Sequence, residues 1–246
     1  MIEDVITIIW KEIRELLLHR GRFRGGWTGL LFFAAIFGIF MPLQSGADWI
    51  KSPIGLLYWA WVPFLLVSGV VADSFAGERE RHTLETLLAS CLSDRAILFG
   101  KMAASILYGW GLTMTCVVLG LITTNIAYAK GHLLFYPAMI GIGIVVLSFL
   151  IATLSSALGV LVSLRASTVR QAQQTFSIAF FVLFIPLFLI PMLPETWRIK
   201  MLTVLSGINI NYQAILILVV TLLIILNIAI ISIAMARFRR TRLIFV

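Results

Sequence analysis

Long apolar runs and short charged segments take turns along this chain. Six runs contain no Asp, Glu, Lys, Arg or His: 27–43, 54–72, 102–128, 135–164, 176–193 and 214–236. Crossing the hydrocarbon core of a bilayer takes about 20 apolar residues in a helix. Backbone polar groups in lipid must be satisfied within the segment, so single spanning runs are helices. Barrel strands would instead alternate over about ten residues, and neither 142–146 nor 216–226 alternates. The pattern predicts an all-α polytopic membrane protein, one transmembrane domain over 1–246 with six transmembrane helices.

The segment ahead of the first run has a different period. Ile2, Val5, Ile6, Ile9, Trp10, Ile13, Leu16 and Leu17 recur every three or four positions, with Glu3, Asp4, Lys11, Glu12, Arg14 and Glu15 opposite. That spacing predicts an amphipathic helix over 1–20. With Arg20, Arg22 and Arg24 close behind it, an interfacial helix on an anionic leaflet is expected, hinged to the first span by Gly25-Gly26. A helix docked on protein is the other reading.

Composition sharpens the class. Of 246 residues 61% are hydrophobic and 12% charged, with mean hydropathy +1.04. A soluble domain carries about 25% charge, so an ordinary soluble enzyme and a disordered chain are excluded. The net charge of +8 would suggest nucleic acid in a soluble protein, but position decides here. Fifteen of the 19 cations fall in the N-terminal segment, in 73–101, in 165–175 and in the tail; the alternate loops hold Lys51, Lys130, Arg198 and Lys200. The positive-inside rule then places both termini in the cytoplasm, in a multi-pass cytoplasmic (plasma or inner) membrane protein with 194–213 outside. The charge is topological and implies no nucleic-acid partner. The acidic start, with no small-residue cleavage site, argues against a secretory signal.

Candidate chemistry is sparse. Proton relays and ion pathways are marked by titratable groups inside spans, and the strongest polar groups in these runs are Asn125 and Asn227. That weighs against a secondary carrier. Cys91, Cys116, His19, His82 and His132 form no ligand cluster, and no nucleophile has a base beside it. Gly100-Lys101 lacks the rest of a phosphate-binding loop, and Leu205-Ser206-Gly207 is an isolated echo of a nucleotide-binding signature. No catalytic, cofactor or metal residue is predicted, and the chain is read as no enzyme.

The longest polar loop, 73–101, is where a mechanism could reside. Residues 78–89 read as a short amphipathic helix entered at Gly77, with Leu84, Leu87 and Leu88 on one edge. Ser93 is a candidate N-cap for the next helix, with Asp94 in its first turn. The loop is either a solvated connector or a docking surface.

At this point the sequence resembles a known family. Residues 75–101, FAGERERHTLETLLASCLSDRAILFGK, resemble the segment between the second and third spans of type-2 ATP-binding-cassette (ABC) exporter permeases, typically E-R-E-x-G-T-L-E-x-L-L-x-S-P. Glu78, Arg79, Glu80, Thr83, Leu84, Glu85, Leu87, Leu88 and Ser90 carry the match; His82 stands where the family often has Gly, and Cys91 where it usually has Pro. The resemblance implies a cytoplasmic coupling helix seated on a separate ATPase subunit. Glu78, Arg79, Glu80, Arg81, Thr83 and Glu85 would make the contacts, and Arg165, Arg170 and Gln171 a second one. It also implies a second permease copy, as homodimer or related heterodimer, with ATP and Mg2+ held by the ATPase subunit and none by this chain.

Two further patterns stay open at this level. Ser148, Ala152, Ser155, Ser156, Gly159 and Ser163 form a small-residue stripe that lets helices approach closely, within one chain or between copies. Trp197, Met201, Leu202 and Leu205 suit a re-entrant helix or an aromatic anchor. The expected function is the permease subunit of an ABC exporter; the alternatives are a non-transporting scaffold for a cytoplasmic ATPase complex and a secondary carrier.

Overall fold

The computed structural model describes residues 2–22, 24–53, 55–83, 89, 92–129, 131–189, 194, 196 and 212–238. Most of these residues are helical, joined by turns and short irregular stretches such as 133–137, with no strand among them. Helix α1 covers Ile2–Arg22 and begins with Glu3 and Asp4, which suit the positive end of the helix dipole. Helix α2 is Arg24–Ala35, followed by a π-turn at Ile36–Phe40 and α3 at Met41–Ser45. Gly25 and Gly26 lie inside α2, so the expected glycine hinge is a helical turn. Two glycines cost a helix only about 1 kcal/mol each, which helical neighbours absorb.

The π-turn has a cause in Pro42. Proline has no N–H for the carbonyl four residues back, that of Gly38. The Met41 N–H reaches to Ile36 O instead, and the Thr123 hydroxyl donates to Gly38 O at 2.7 Å. Gly38 also admits Leu119 so closely that an added Cβ would lie 2.9 Å from its Cβ.

A short α4 (Asp48–Lys51) precedes α5 (Gly55–Glu80), α6 (Asp94–Tyr128), α7 (Ala138–Arg165), α8 (Val169–Leu189) and α9 (Tyr212–Arg237). Among the described residues four stretches are long and apolar enough to cross a membrane: Trp59–Glu80, Asp94–Tyr128, Ala138–Arg165 and Gln213–Arg237. Gly29–Ser45 is a shorter apolar helix. Most of the expected external segment 194–213 lies outside the described residues.

The α5–α7 interface is the most extensive in the molecule, and the small-residue stripe builds it. Ser148, Ala152, Ser155, Ser156, Gly159 and Ser163 are all buried within the chain. The hydroxyls of Ser155, Ser156 and Ser163 bond to neighbouring helices, while Ser148 Oγ donates to Val145 O within α7. Ser155 Oγ donates to Phe64 O at 3.1 Å, and Ser163 Oγ donates to Ala72 O at 3.2 Å while accepting from Ala76 N at 2.9 Å. Ser156 Oγ and Ser105 Oγ, 2.9 Å apart, join α7 to α6. A Cβ on Gly159 would collide with Val71. The stripe therefore brings α5 against α7.

Helix α9 rests mainly on α7. Asn227 Nδ2 donates to Leu150 O at 3.1 Å, while Ile217, Leu218, Leu222, Ile225 and Ile228 face outward. Asn125 is a different device: its amide donates to Leu134 O at 2.9 Å and accepts from Leu134 N at 2.7 Å, clamping the turn between α6 and α7. Both asparagines satisfy backbone groups.

Candidate functional site, a charged platform at one end of the bundle

The segments that carry most of the cations meet at one end of the fold. Helix α1, the α5–α6 connection, the α7–α8 connection and the end of α9 are joined there by ion pairs, hydrogen bonds and the Phe75–Phe238 ring contact, 5.3 Å between centroids. Helix α6 explains part of this. Its 35 residues make a rod of about 50 Å against a hydrocarbon core of ~30 Å, and its charged residues Asp94, Arg95 and Lys101 all lie in its first turns. Ser93 is the N-cap, its hydroxyl accepting from Ala96 N at 3.2 Å.

Lys101 is the centre of the platform. Its side chain is 1% exposed and its Nζ donates to Glu12 Oε1 at 2.8 Å, to Glu78 Oε1 at 2.9 Å and to Ser74 O at 3.0 Å. The ammonium also lies 5.3 Å from the centroid of the Phe75 ring, a cation–π contact. Lys11, half-exposed, stands 3.7 Å from both carboxylates. The buried ammonium faces two carboxylates, and Lys11, itself 3.6 Å from the exposed Glu15, offsets their charge; pairing of this kind is how buried charge is tolerated. Glu78 Oε2 is buried and has no hydrogen-bond partner among the described residues. The amphipathic period puts Glu12 on the polar face of α1; in the fold its side chain is 15% exposed and pairs with Lys101.

That inward face defines how α1 sits. Ile8 is buried against α6 at Gly100, where an added Cβ would lie 2.6 Å from Ile8 Cγ2. Ile2, Ile6 and Trp10 occupy another face and are 73%, 59% and 71% exposed. The helix is thus docked on protein along one edge and bare along an apolar one.

The other expected contact residues divide sharply. Arg79 is half-buried and donates to Ala166 O at 2.7 Å and Leu164 O at 3.0 Å, taking the last carbonyls of α7. Glu80 is exposed, and its Oε2 accepts from Val169 N at 3.2 Å at the start of α8, where an acid suits both the free N–H and the dipole. Arg81 is exposed and bridges both oxygens of Asp73 at 2.9 Å. Thr83 is exposed. Glu85 and residues 84–88 lie outside the described residues. Arg165 and Arg170 are exposed; Gln171 Oε1 accepts from Ser167 N at 2.9 Å and from its hydroxyl at 3.0 Å, closing the connection between α7 and α8.

Residues 78–80, the expected start of a helix over 78–89, instead end α5, while 84–88 lie outside the described residues. Thr83 N–H bonds to Glu78 O at 2.9 Å and His82 N–H to Arg79 O at 3.1 Å, the 6→1 and 5→2 bonds of a Schellman stop. Such a stop needs a left-handed residue, and His82 has φ +56°. This is the position where the resembled pattern often has Gly, so the departure is one of residue type and not of backbone shape.

The fold is thus that of a multi-pass helical membrane protein with its charged helix ends drawn together at one end. The model of the ABC-2 family transporter proteins matches residues 66–204, more than half of the chain, and the chain belongs to that family. Among curated proteins it is 29% identical over 161 residues to the ABC transporter permease protein NatB of Bacillus subtilis (strain 168), which covers 60% of this chain. The chain spans 41% of that relative's length.

Proposed function

We propose that the chain is the membrane-spanning subunit of an ABC exporter, moving its cargo across the cytoplasmic membrane with ATP hydrolysed by a separate ATPase subunit. Two permease copies and two ATPase subunits make the working unit, and ATP and Mg2+ bind to the ATPase. Helices α2–α3 and α8 complete six spans with the four longer ones, both termini are cytoplasmic, and the charged platform is the cytoplasmic end. The gathering of the cation-rich segments at one end of the bundle is the observation that carries this reading.

Within that platform the ATPase seat is the exposed edge after the Schellman stop, formed by Glu80, Arg81, Thr83 and the segment leading to Glu85. Arg170, exposed in the first turn of α8, adds the second contact, while Arg165 and Gln171, expected with it, line the neighbouring groove between α7, α8 and α9. Glu78 and Arg79 brace this seat from behind. The apolar stripe Ile2, Ile6 and Trp10 lies on the inner leaflet beside it.

The test is co-purification with a candidate ATPase, followed by cargo-stimulated ATP hydrolysis in liposomes. Charge reversal at both Glu80 and Arg81 is expected to abolish coupling while membrane insertion stays intact. Unchanged transport in that double variant contradicts the docking assignment. ATPase binding with no stimulation by any lipid, drug or glycan would make the chain a scaffold.

A further inference from the structure

A groove of about 440 Å3 opens beside the platform, between the ends of α7, α8 and α9. Its polar rim holds Arg165, Arg237 and Gln171, its apolar wall Leu161, Val162 and Ile233, and no acidic side chain lines it. Arg165 is the last residue of α7 and Arg237 the last of α9, so both guanidinium groups sit where an apolar helix leaves the membrane.

An arginine at a helix C-terminus ordinarily answers the free carbonyls there. At the end of α7 that role is already filled, because Arg79 bonds Leu164 O and Ala166 O. Arg165 and Arg237 make no ion pair among the described residues. Two cations facing one groove without a carboxylate repel each other, and an anion between them relieves that. Gln171 spends its carbonyl oxygen on Ser167 and keeps its NH2 group to donate. A guanidinium pair is suited to bidentate binding of phosphate. The wall of Leu161, Val162 and Ile233, running from that rim along two lipid-crossing helices, suits an acyl chain rather than a soluble anion.

We propose that this groove binds one anionic phospholipid, its phosphate between Arg165 and Arg237 and its chain against Leu161 and Ile233. The inference rests on the membrane placement above and is independent of transport. The site ties α9, which otherwise rests mainly on α7, to the rest of the platform through a lipid.

The experiment uses the full chain in a neutral detergent, with bound lipid measured by native mass spectrometry. Phosphatidylglycerol, phosphatidylcholine, glycerol 3-phosphate and inorganic phosphate are the probes. Phosphatidylglycerol is expected to bind at least tenfold more tightly than phosphatidylcholine. Arg165→Gln and Arg237→Gln should each weaken it roughly fivefold, the scale of one cation at an anionic surface. Gln171→Glu keeps the bonds to Ser167, adds a negative charge to the rim and should weaken binding by a similar factor. Arg95→Gln, outside the groove, should leave binding unchanged. Wild-type affinity in a monodisperse Arg165→Gln/Arg237→Gln protein, or in Gln171→Glu, overturns the site. Displacement of phosphatidylglycerol by equimolar glycerol 3-phosphate overturns the lipid assignment in favour of a soluble phosphate. Neither ATPase nor cargo enters the assay, so loss of transport in the Glu80 and Arg81 variants with lipid binding intact counts against the exporter reading alone.

Discussion

Glu78 and Arg81 are separated by two residues in the run ERER, yet one is enclosed and the other faces water. Glu78 lies one turn beyond Ser74 and Phe75, on the face of α5 that meets Lys101. Arg81 comes at the turn itself, where the chain leaves the helix, and pairs with Asp73 at the surface. The helical period, and then a left-handed turn at His82, assigns neighbouring charges of one run to two different tasks. The inner set, Glu12, Glu78, Arg79 and Lys101, holds three helices and a fourth helix's end in register. The outer set, Glu80, Arg81 and Thr83, is exposed, and it is the edge proposed above to seat the ATPase.

The division can be broken from the inside first. Lys101→Met leaves Glu12 and Glu78 with only the half-exposed Lys11 at 3.7 Å, and removing one partner of a buried pair costs about 3–5 kcal/mol. A large drop in thermal stability of the detergent-purified protein is expected, with partial recovery when Glu78→Gln is added. Arg79→Gln removes two charge-assisted bonds to the end of α7, and a loss of about 1.5–3 kcal/mol is expected in the same assay. His82→Gly relieves the left-handed backbone and should stabilise the turn by up to about 1 kcal/mol; His82→Val should do the reverse. Arg81→Gln is the smallest in stability, within about 1 kcal/mol because its ion pair is exposed, and the largest in coupling to ATP hydrolysis. A pattern in which Arg81→Gln destabilises as much as Lys101→Met would erase the distinction between the two sets.

Much of the fold was legible from sequence for a simple physical reason. Long runs free of charge, such as those now in α6, α7 and α9, have few stable states other than a membrane helix. Ser93 was readable as an N-cap because the capping bond is local. What could not be read was pairing across the chain. Glu12 and Lys101 are 89 positions apart, and an amphipathic period assigns Glu12 to the polar face without showing that a buried lysine meets it. The only hint was that Lys101 adjoins the apolar run 102–128, where a cation needs a partner. The serine stripe was visible as a stripe, but its partner became clear only from the bonds of Ser155 and Ser163 to α5. The run of charges after Gly77 reads as a new beginning, whereas α5 continues through residues 78–80.

The most direct measurement is thiol accessibility across the division. In a Cys91→Ser background, which leaves the buried Cys116, Glu78→Cys, Glu80→Cys and Arg81→Cys are introduced singly and treated with a membrane-impermeant maleimide in inside-out vesicles, with and without the ATPase subunit. The account predicts rapid labelling at positions 80 and 81, protection of both by the ATPase, and little labelling at position 78 in either state. Equal labelling at all three positions, or no protection at 80 and 81 by a bound ATPase, would contradict it.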